Sequence, residues 1–422
     1  MMKACCVLLL LTVFATPSPL SEAAKGMSPN TWRNFTSNLS NGMIMGGPKM
    51  ASSLSYADNI VWGSVSKRLY FIGSAHGSIS KFLVYDDSTN NWYNEVTPRE
   101  PADDNNRVGH NYDCGTIVPE RNEFWRMTYV GPDFIFKYKC ADKKWDTVRT
   151  TGVFNNYACV MQYFPAAKYM VNLDRFVGQI SFMHIDSLRW SAPKYIYPSS
   201  YHAFAEYNPK HRCMLLGGGS DNRIWKLDTN LVLTQLKNAP FPELSVIASE
   251  IICDSASGKY LVLTQGAFHS YDIITDTWEQ IPFQSEPVKN IVTKLDVSNA
   301  IIGGSIPEYG IAVFITTGAY PMLIYKYGTA NESEKNSGIK NSPSISASPN
   351  PCNPASTIEC IIPSGQTGKL LITDINGKTV NTVKNITGRR KINFTASASK
   401  IYLCRLETSA GSSHTLKLFT MK

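Results

Sequence analysis

The chain has no run of about 20 apolar residues, no Cys-x-x-Cys pair and no long block of basic residues. Each absence excludes a class of protein. A helix that crosses a bilayer takes about 20 apolar residues, so no segment qualifies. Zinc ribbons and thioredoxin-type redox sites lose their defining spacing. The net charge of +8 is spread over 422 residues, and its densest group is Gly388-Arg389-Arg390-Lys391. Nucleic-acid binding asks for a basic stripe interleaved with aromatics, and none is present. Walker, Rossmann, His-Glu-x-x-His and Gly-x-Ser-x-Gly signatures are also missing. Beyond residue 24, no helical period persists over ten residues.

What is present reads as an exported, strand-rich chain. A 43% hydrophobic and 18% charged composition is that of a globular protein. Lys3, the apolar residues 7–15 and the small residues of Ser21-Glu22-Ala23-Ala24 predict a secretory signal over residues 1–24. Cys5 and Cys6 leave with it. Eight cysteines remain: Cys114, Cys140, Cys159, Cys213, Cys253, Cys352, Cys360 and Cys404. In an exported chain they are either disulfides or single buried thiols, and spacing alone leaves both open. Cys360 and Cys404 would suit a bridge if they lay on adjacent strands.

An internal repeat organises residues 30–328. Residues 213–236 show it best: an apolar run ends in Gly217-Gly218-Gly219, and an alternating segment then closes on Leu227-Asp228. Elsewhere the closing turn runs from an aromatic to a tryptophan, as in Tyr85 to Trp92, Tyr138 to Trp145 and Tyr271 to Trp278. Ile185 to Trp190 is a shorter version. Members recur at the spacing of four-stranded propeller blades. Tyr56, Tyr112, Tyr157, His202, Ile247 and Ile291 occupy comparable positions upstream and mark six inner strands. The last repeat lacks its tryptophan strand, while Asn30-Thr31-Trp32-Arg33-Asn34-Phe35 is an outer strand with nothing before it. Pairing the two would close the ring and remove free sheet edges.

The repeat resembles kelch-type repeats, as in the central domain of galactose oxidase. The residues that carry the likeness are Arg107-Val108-Gly109-His110, Leu216-Gly217-Gly218, and Tyr271-Asp272 with Trp278. That family's copper site does not carry over, because no Tyr-x-His-His-type pair occurs among the seven histidines. No cofactor or metal is implied.

Residues 329–347 read as a linker, and residues 348–422 as a second domain of short strands around the hairpin turn Asn376-Gly377. Three of its segments resemble the C-terminal sorting domains of type IX secretion cargo and the related immunoglobulin-like domain of hook-capping proteins. They are Pro349-Asn350-Pro351-Cys352-Asn353-Pro354, residues 373–378 and residues 401–406. The resemblance implies a bacterial protein with the secretion machinery as a partner through residues 348–422, and a secreted or outer-surface location. The expected fold is all-β: a six-bladed β-propeller over residues 25–328 and a C-terminal immunoglobulin-like β-sandwich.

Inner strands line a propeller's channel, so their polar residues are the site candidates: His110, Asp113, Tyr157, His202, Glu206, Glu250 and Lys294. Converging carboxylates and imidazoles can bind a ligand or perform acid–base work. The competing explanation is that each satisfies a neighbouring blade's backbone. The preferred reading is a binding protein for a glycan or another protein, with no nucleic-acid partner. The alternatives are an extracellular polysaccharide-active enzyme (a lyase, hydrolase or oxidase) and a structural adhesin.

Overall fold

Among the described residues, the first of two units (residues 1–330 and 331–422) holds six four-stranded antiparallel sheets, five of them hairpin-linked meanders. The structure is a computed structural model. It describes residues 18–46, 51–57, 59–73, 80–98, 112–127, 134–152, 160–173, 178–195, 202–219, 221–246, 248–264, 266–282, 301–317, 321–327, 344–348, 352, 355–362, 366–395, 401–409 and 413–420.

Blade one runs Val61–Gly63, Arg68–Gly73, Lys81–Asp86 and Asn91–Glu95. Blade two runs Gly115–Val118, Glu123–Met127, Phe134–Lys139 and Lys144–Arg149. Blades three, four and five begin at Val160–Phe164, Ala203–Asn208 and Ser249–Cys253. Blade six takes Ile301–Ile306, Ile311–Thr316 and Met322–Lys326 from the end of the unit, and its outer strand Thr31–Asn34 from the beginning. The first strands of the blades follow one another around a ring, with the first strand of blade six against that of blade one. Parallel bridges such as Asn59 to Gly303 and Asp113 to Val160 join neighbouring blades at the axis. The fold is a β-propeller.

The repeat has a stereochemical basis in its turns. Each first hairpin ends its turn on a left-handed residue: Lys67, Asn122, Lys168, Arg212, Gly258 or Gly310. Each outer hairpin does the same at Asn90, Lys143, Leu188, Leu231, Asp276 and, for the strand from the N-terminus, Asn30. A type I turn followed by a left-handed residue returns the chain in register with the strand twist. Two residues past that position comes the tryptophan. Trp92 faces Tyr85, Trp145 faces Tyr138, Trp278 faces Tyr271 and Trp32 faces Tyr325 across paired strands. Ring centroids in these pairs lie 4.5–5.3 Å apart. Each is worth about 0.5–1.5 kcal/mol beyond its buried area. In blade four Leu233 stands opposite Leu227 and takes the tryptophan's place.

The three glycines of blade four serve packing. Gly217, Gly218 and Gly219 all have left-side φ values. A Cβ on Gly218 would come within 1.8 Å of the Leu244 carbonyl oxygen, and the Gly219 N–H donates to that same oxygen at 2.9 Å.

The described part of the chain start packs on the propeller. Residues 1–17 lie outside the described residues, but Pro19–Lys25 forms a short helix whose Leu20, Ala23 and Ala24 are buried in the propeller core. The Leu20 N–H donates to the buried Asp87 carboxylate (3.0 Å), which also accepts from the Tyr309 hydroxyl at 2.9 Å. Ser18 donates to that hydroxyl in turn, at 3.0 Å. A signal ending at Ala24 would strip these apolar side chains from a filled core.

The second unit is a two-sheet β-sandwich. One sheet contains Ser344–Ser348, Ala355–Ile361 and Arg389–Thr395. The other contains Thr379–Ile386, Gly368–Asp374, Ile401–Thr408 and Ser413–Phe419. Alternating inward residues such as Ile358, Cys360, Leu370, Ile372, Cys404 and Leu406 fill its core. All seven described mature cysteines are free and buried, so the buried-thiol reading holds for them; Cys159 lies outside the described residues. Cys360 and Cys404 sit on different sheets, so the adjacent-strand premise of a bridge fails.

Candidate functional site

The inner strands of a propeller carry backbone edges that face the axis, and side chains from neighbouring blades satisfy them. Glu250 of blade five accepts from the Gly303 N–H of blade six at 2.6 Å. Glu206 of blade four accepts from the Cys253 N–H of blade five through Oε1, at 3.1 Å. Gln162 of blade three donates to the Gly115 carbonyl of blade two at 3.2 Å.

Asp113 is the hub. It is fully buried just before the inner strand of blade two, and it binds three other blades. Oδ1 accepts from Asn59 Nδ2 (2.5 Å) and from Gln162 Nε2, while Oδ2 accepts from the Ala205 N–H at 2.5 Å. Burial pushes its carboxyl up to about 7, and the Ala205 and Gln162 hydrogen bonds pull the other way. Both of its oxygens are engaged, so its role is to tie blades together across the axis.

At the end of the channel where the inner strands begin, Tyr56, Tyr112 and His202 stand at equivalent positions with φ of 54°, 50° and 65°. Bulky aromatic residues seldom adopt this conformation, and three in a row mark a shared constraint. The His202 ring packs between those of Tyr56 and Tyr112, at 5.6 and 5.8 Å. Burial lowers its pKa to about 4, so it is neutral at physiological pH.

The opposite end of the channel is hollow. A cavity of about 300 Å³ opens there, with lining from all six blades. Trp62, Ile117, Tyr163, Tyr207 and Ile251 make apolar walls, and Asn59, Gln162 and Glu206 supply polar groups at depth. Pro119, Pro165, Pro209 and Pro307 form much of the rim, each directly after an inner strand. Proline suits that place because its fixed φ opens the type I turn and the strand needs no further N–H. Glu308 on the rim is held by Lys67 (2.7 Å) and by the Trp62 indole N–H (3.2 Å).

Glu206 is the carboxylate that reaches the depth of this cavity with an oxygen to spare, while Glu308 stands at the rim. Its Oε1 takes the Cys253 N–H, and its Oε2 has no hydrogen-bond partner among the described residues. Burial, with the Asp113 charge adding to it, lifts its carboxyl to about 8.

The structure thus brings Asp113, Glu206 and Glu250 to the axis and places His202 at the far mouth. His110, Tyr157 and Lys294 lie outside the described residues. Sequence reasoning missed the cavity walls and the floor residues Asn59 and Gln162. The proline that follows four of the six inner strands was the available signal, since it marks the rim at blade spacing.

This geometry defines a β-propeller with a concave, mostly apolar mouth. Residues 346–420 match the family model for the Secretion system C-terminal sorting domain. The protein therefore carries a type IX sorting tail, which implies engagement of the secretion machinery and delivery to the cell surface or the extracellular space. A search of curated proteins finds no match. Among solved structures, PorZ, an essential surface component of the type IX secretion system of Porphyromonas gingivalis, is similar at 14% identity. The TM-score is 0.37, with 86% of this chain and 59% of PorZ covered. The extracellular domain of the putative one-component system BT4673 from Bacteroides thetaiotaomicron aligns at 10% identity and TM-score 0.40, over 87% of this chain and 57% of that one. Virginiamycin B lyase from Staphylococcus aureus aligns at 11% identity and TM-score 0.41, over 73% and 92%. The chain thus spans under two thirds of the first two. No helix among the described residues is long and apolar enough to cross a membrane.

Proposed function

We propose that this protein is an extracellular or surface-held binding protein, and that its recognition site is the hollow channel mouth lined by Trp62, Tyr163, Tyr207 and Glu206. The observation that carries this reading is the state of the axial carboxylates. Asp113 has both oxygens bonded across blades, whereas Glu206 bonds across blades through Oε1 alone and its Oε2 opens to the depth of a concave, mostly apolar cavity. Acid–base catalysis on a glycan wants two groups facing one substrate. Ligand binding wants apolar walls and a few placed polar groups, which is the composition here. The ligand class we propose is a glycan or a protein segment.

The test is binding of the mature protein to glycan and peptide arrays, with product analysis for turnover. The expected result is specific binding that Trp62→Ala weakens at least tenfold, with no product formed. Turnover, or binding indifferent to Trp62→Ala, overturns the reading.

Two further parts of the reading are proposals of the same kind. The repeat is kelch-type in its turns, on the strength of the aromatic-to-tryptophan pairs. The secretory signal ends upstream of Ser18, where Val13 and Ala15 stand at the alternate positions a cleavage site needs. The buried Leu20 supports that cut. N-terminal sequencing of the exported protein should begin before Ser18; a start at Lys25 or later would refute it.

A further inference from the structure

The cavity's charge and shape narrow its ligand further, granted that the channel mouth is the recognition site. Among the described residues its lining contains no Lys, Arg or His. The cation at its rim, Lys67, is held by Glu308. An anionic ligand therefore meets no cationic partner there. At depth the open Glu206 oxygen faces apolar and aromatic walls, where a lone carboxylate is poorly solvated and a cation is attracted both by it and by the ring faces of Trp62, Tyr163 and Tyr207. The open valence is a single oxygen, since Oε1 is taken by the Cys253 N–H. A guanidinium fork asks for two parallel acceptor oxygens, whereas an ammonium is a compact point charge served by one.

We propose that the channel mouth binds a primary ammonium group carried on an apolar stem, with the free oxygen of Glu206 as its counter-ion. The stem lies along Ile117, Ile251 and the aromatic walls, and the head reaches the floor. Asp113, whose oxygens are filled by Asn59, Gln162 and Ala205, contributes charge from behind and is not a ligand. The titratable groups facing Glu206 are Asp113, Cys253 and Tyr260. Burial holds the Glu206 proton in the empty channel up to about pH 8, so binding the cation releases it.

The experiment is calorimetry on the intact mature protein with three probes of equal size: n-pentylamine, pentan-1-ol and pentanoate. The amine should bind at least tenfold more tightly than the alcohol, and pentanoate more weakly than either. Amine affinity should rise from pH 6 to pH 8.5, with a proton released to buffer, and Glu206→Gln should remove both the preference and the proton. Equal binding of amine and alcohol leaves the site standing and overturns the charge selection. Binding of none of the three, with array binding untouched by Trp62→Ala, removes the site itself. A blocked tripeptide with a central lysine separates the sources of the ammonium. Tighter binding than pentylamine assigns it to a protein side chain, and exclusion assigns it to a free amine. Glu206→Asp keeps the charge on a shorter stem and should retain part of the preference; loss equal to Glu206→Gln with an unchanged melting profile confirms that reach to the floor is required.

Discussion

The two units bury polarity in opposite ways. The propeller holds Asp113, Glu250, Arg126, Lys137 and Lys326 in its interior, along with Asn172 and Gln162. The sandwich buries thiols and the hydroxyls of Ser356, Thr408 and Thr420, and no charged side chain among its described residues. Two facing sheets can fill the space between them with alternating apolar residues. A ring of sheets cannot, because its axis collects exposed backbone edges that apolar side chains leave unsatisfied. Carboxylates and amides at the axis answer that need, and Glu206 is left with one oxygen open. The difference separates a sorting tail, which needs only a stable outline, from a ring whose axis must satisfy its own backbone and, on the function proposed above, keeps one polar valence unspent.

The largest effect should come from cutting the two apart. Removing residues 340–422 in the native host should abolish surface delivery and leave the protein in the periplasm, read by fractionation and immunoblot. Export at the normal level would contradict the role assigned to the sorting tail.

Next comes the hub. Asp113→Ala leaves the donors of Asn59 and Ala205 without an acceptor and Gln162 with backbone carbonyls alone, and each buried donor so stranded costs about 1–3 kcal/mol. The propeller should lose about 3 kcal/mol or more. All 8 tryptophans precede residue 330, so tryptophan fluorescence in urea reports this unit alone. An unchanged midpoint would show that the axis is not held there.

The pH response should be smaller and confined to one unit. Asp113 and Glu206 keep their protons up to about 7 and about 8, against ordinary values of 3.8 and 4.5. The folded state thus holds protons that the unfolded chain releases. This stabilisation is full below the ordinary carboxylate range and is lost as pH rises through 7 and 8. His202 works in the opposite sense. Its lowered value of about 4 adds stability as pH climbs from 4 to 6.5. Between pH 6.5 and 8 only the carboxyls act, so the urea midpoint of the propeller should fall there, and Glu206→Gln should flatten the fall. In the sandwich, burial pushes the shifted thiols Cys360 and Cys404 up to about 11 and about 12, well above this window. Hydrogen exchange resolved by peptide should show the slope in propeller peptides and not in those of residues 355–420.

The smallest expected effect is none. With the seven described cysteines free, a reducing agent should leave the melting of both units unchanged. A drop in either would place a disulfide where the structure has a thiol.

Much of this molecule was open to sequence reading because its information is local. The left-handed turn positions, the aromatic opposite each tryptophan and the alternating strands are all set within eight or ten residues, and repetition made them visible. The sorting tail was legible for the same reason, in short runs such as residues 401–406. Individual site residues were half legible. Inner strands pointed to Asp113, Glu206 and Glu250, but nothing in their neighbours separates the saturated Asp113 from Glu206, whose second oxygen is open.

That distinction was made only by the closed ring. Asp113 meets Asn59 at 54 positions' separation and Ala205 at 92, because ring closure fixes how far each inner strand stands from the axis. The same closure draws Thr31–Asn34 against Met322–Lys326 and seats Leu20 beside Asp87, giving a structural role to residues that composition alone assigns to a discarded signal. Sequence determined the strands, the turns and the destination, since each depends on adjacent residues. The tertiary structure decided which polar groups are spent, because a hydrogen bond is filled or left open only when distant segments meet.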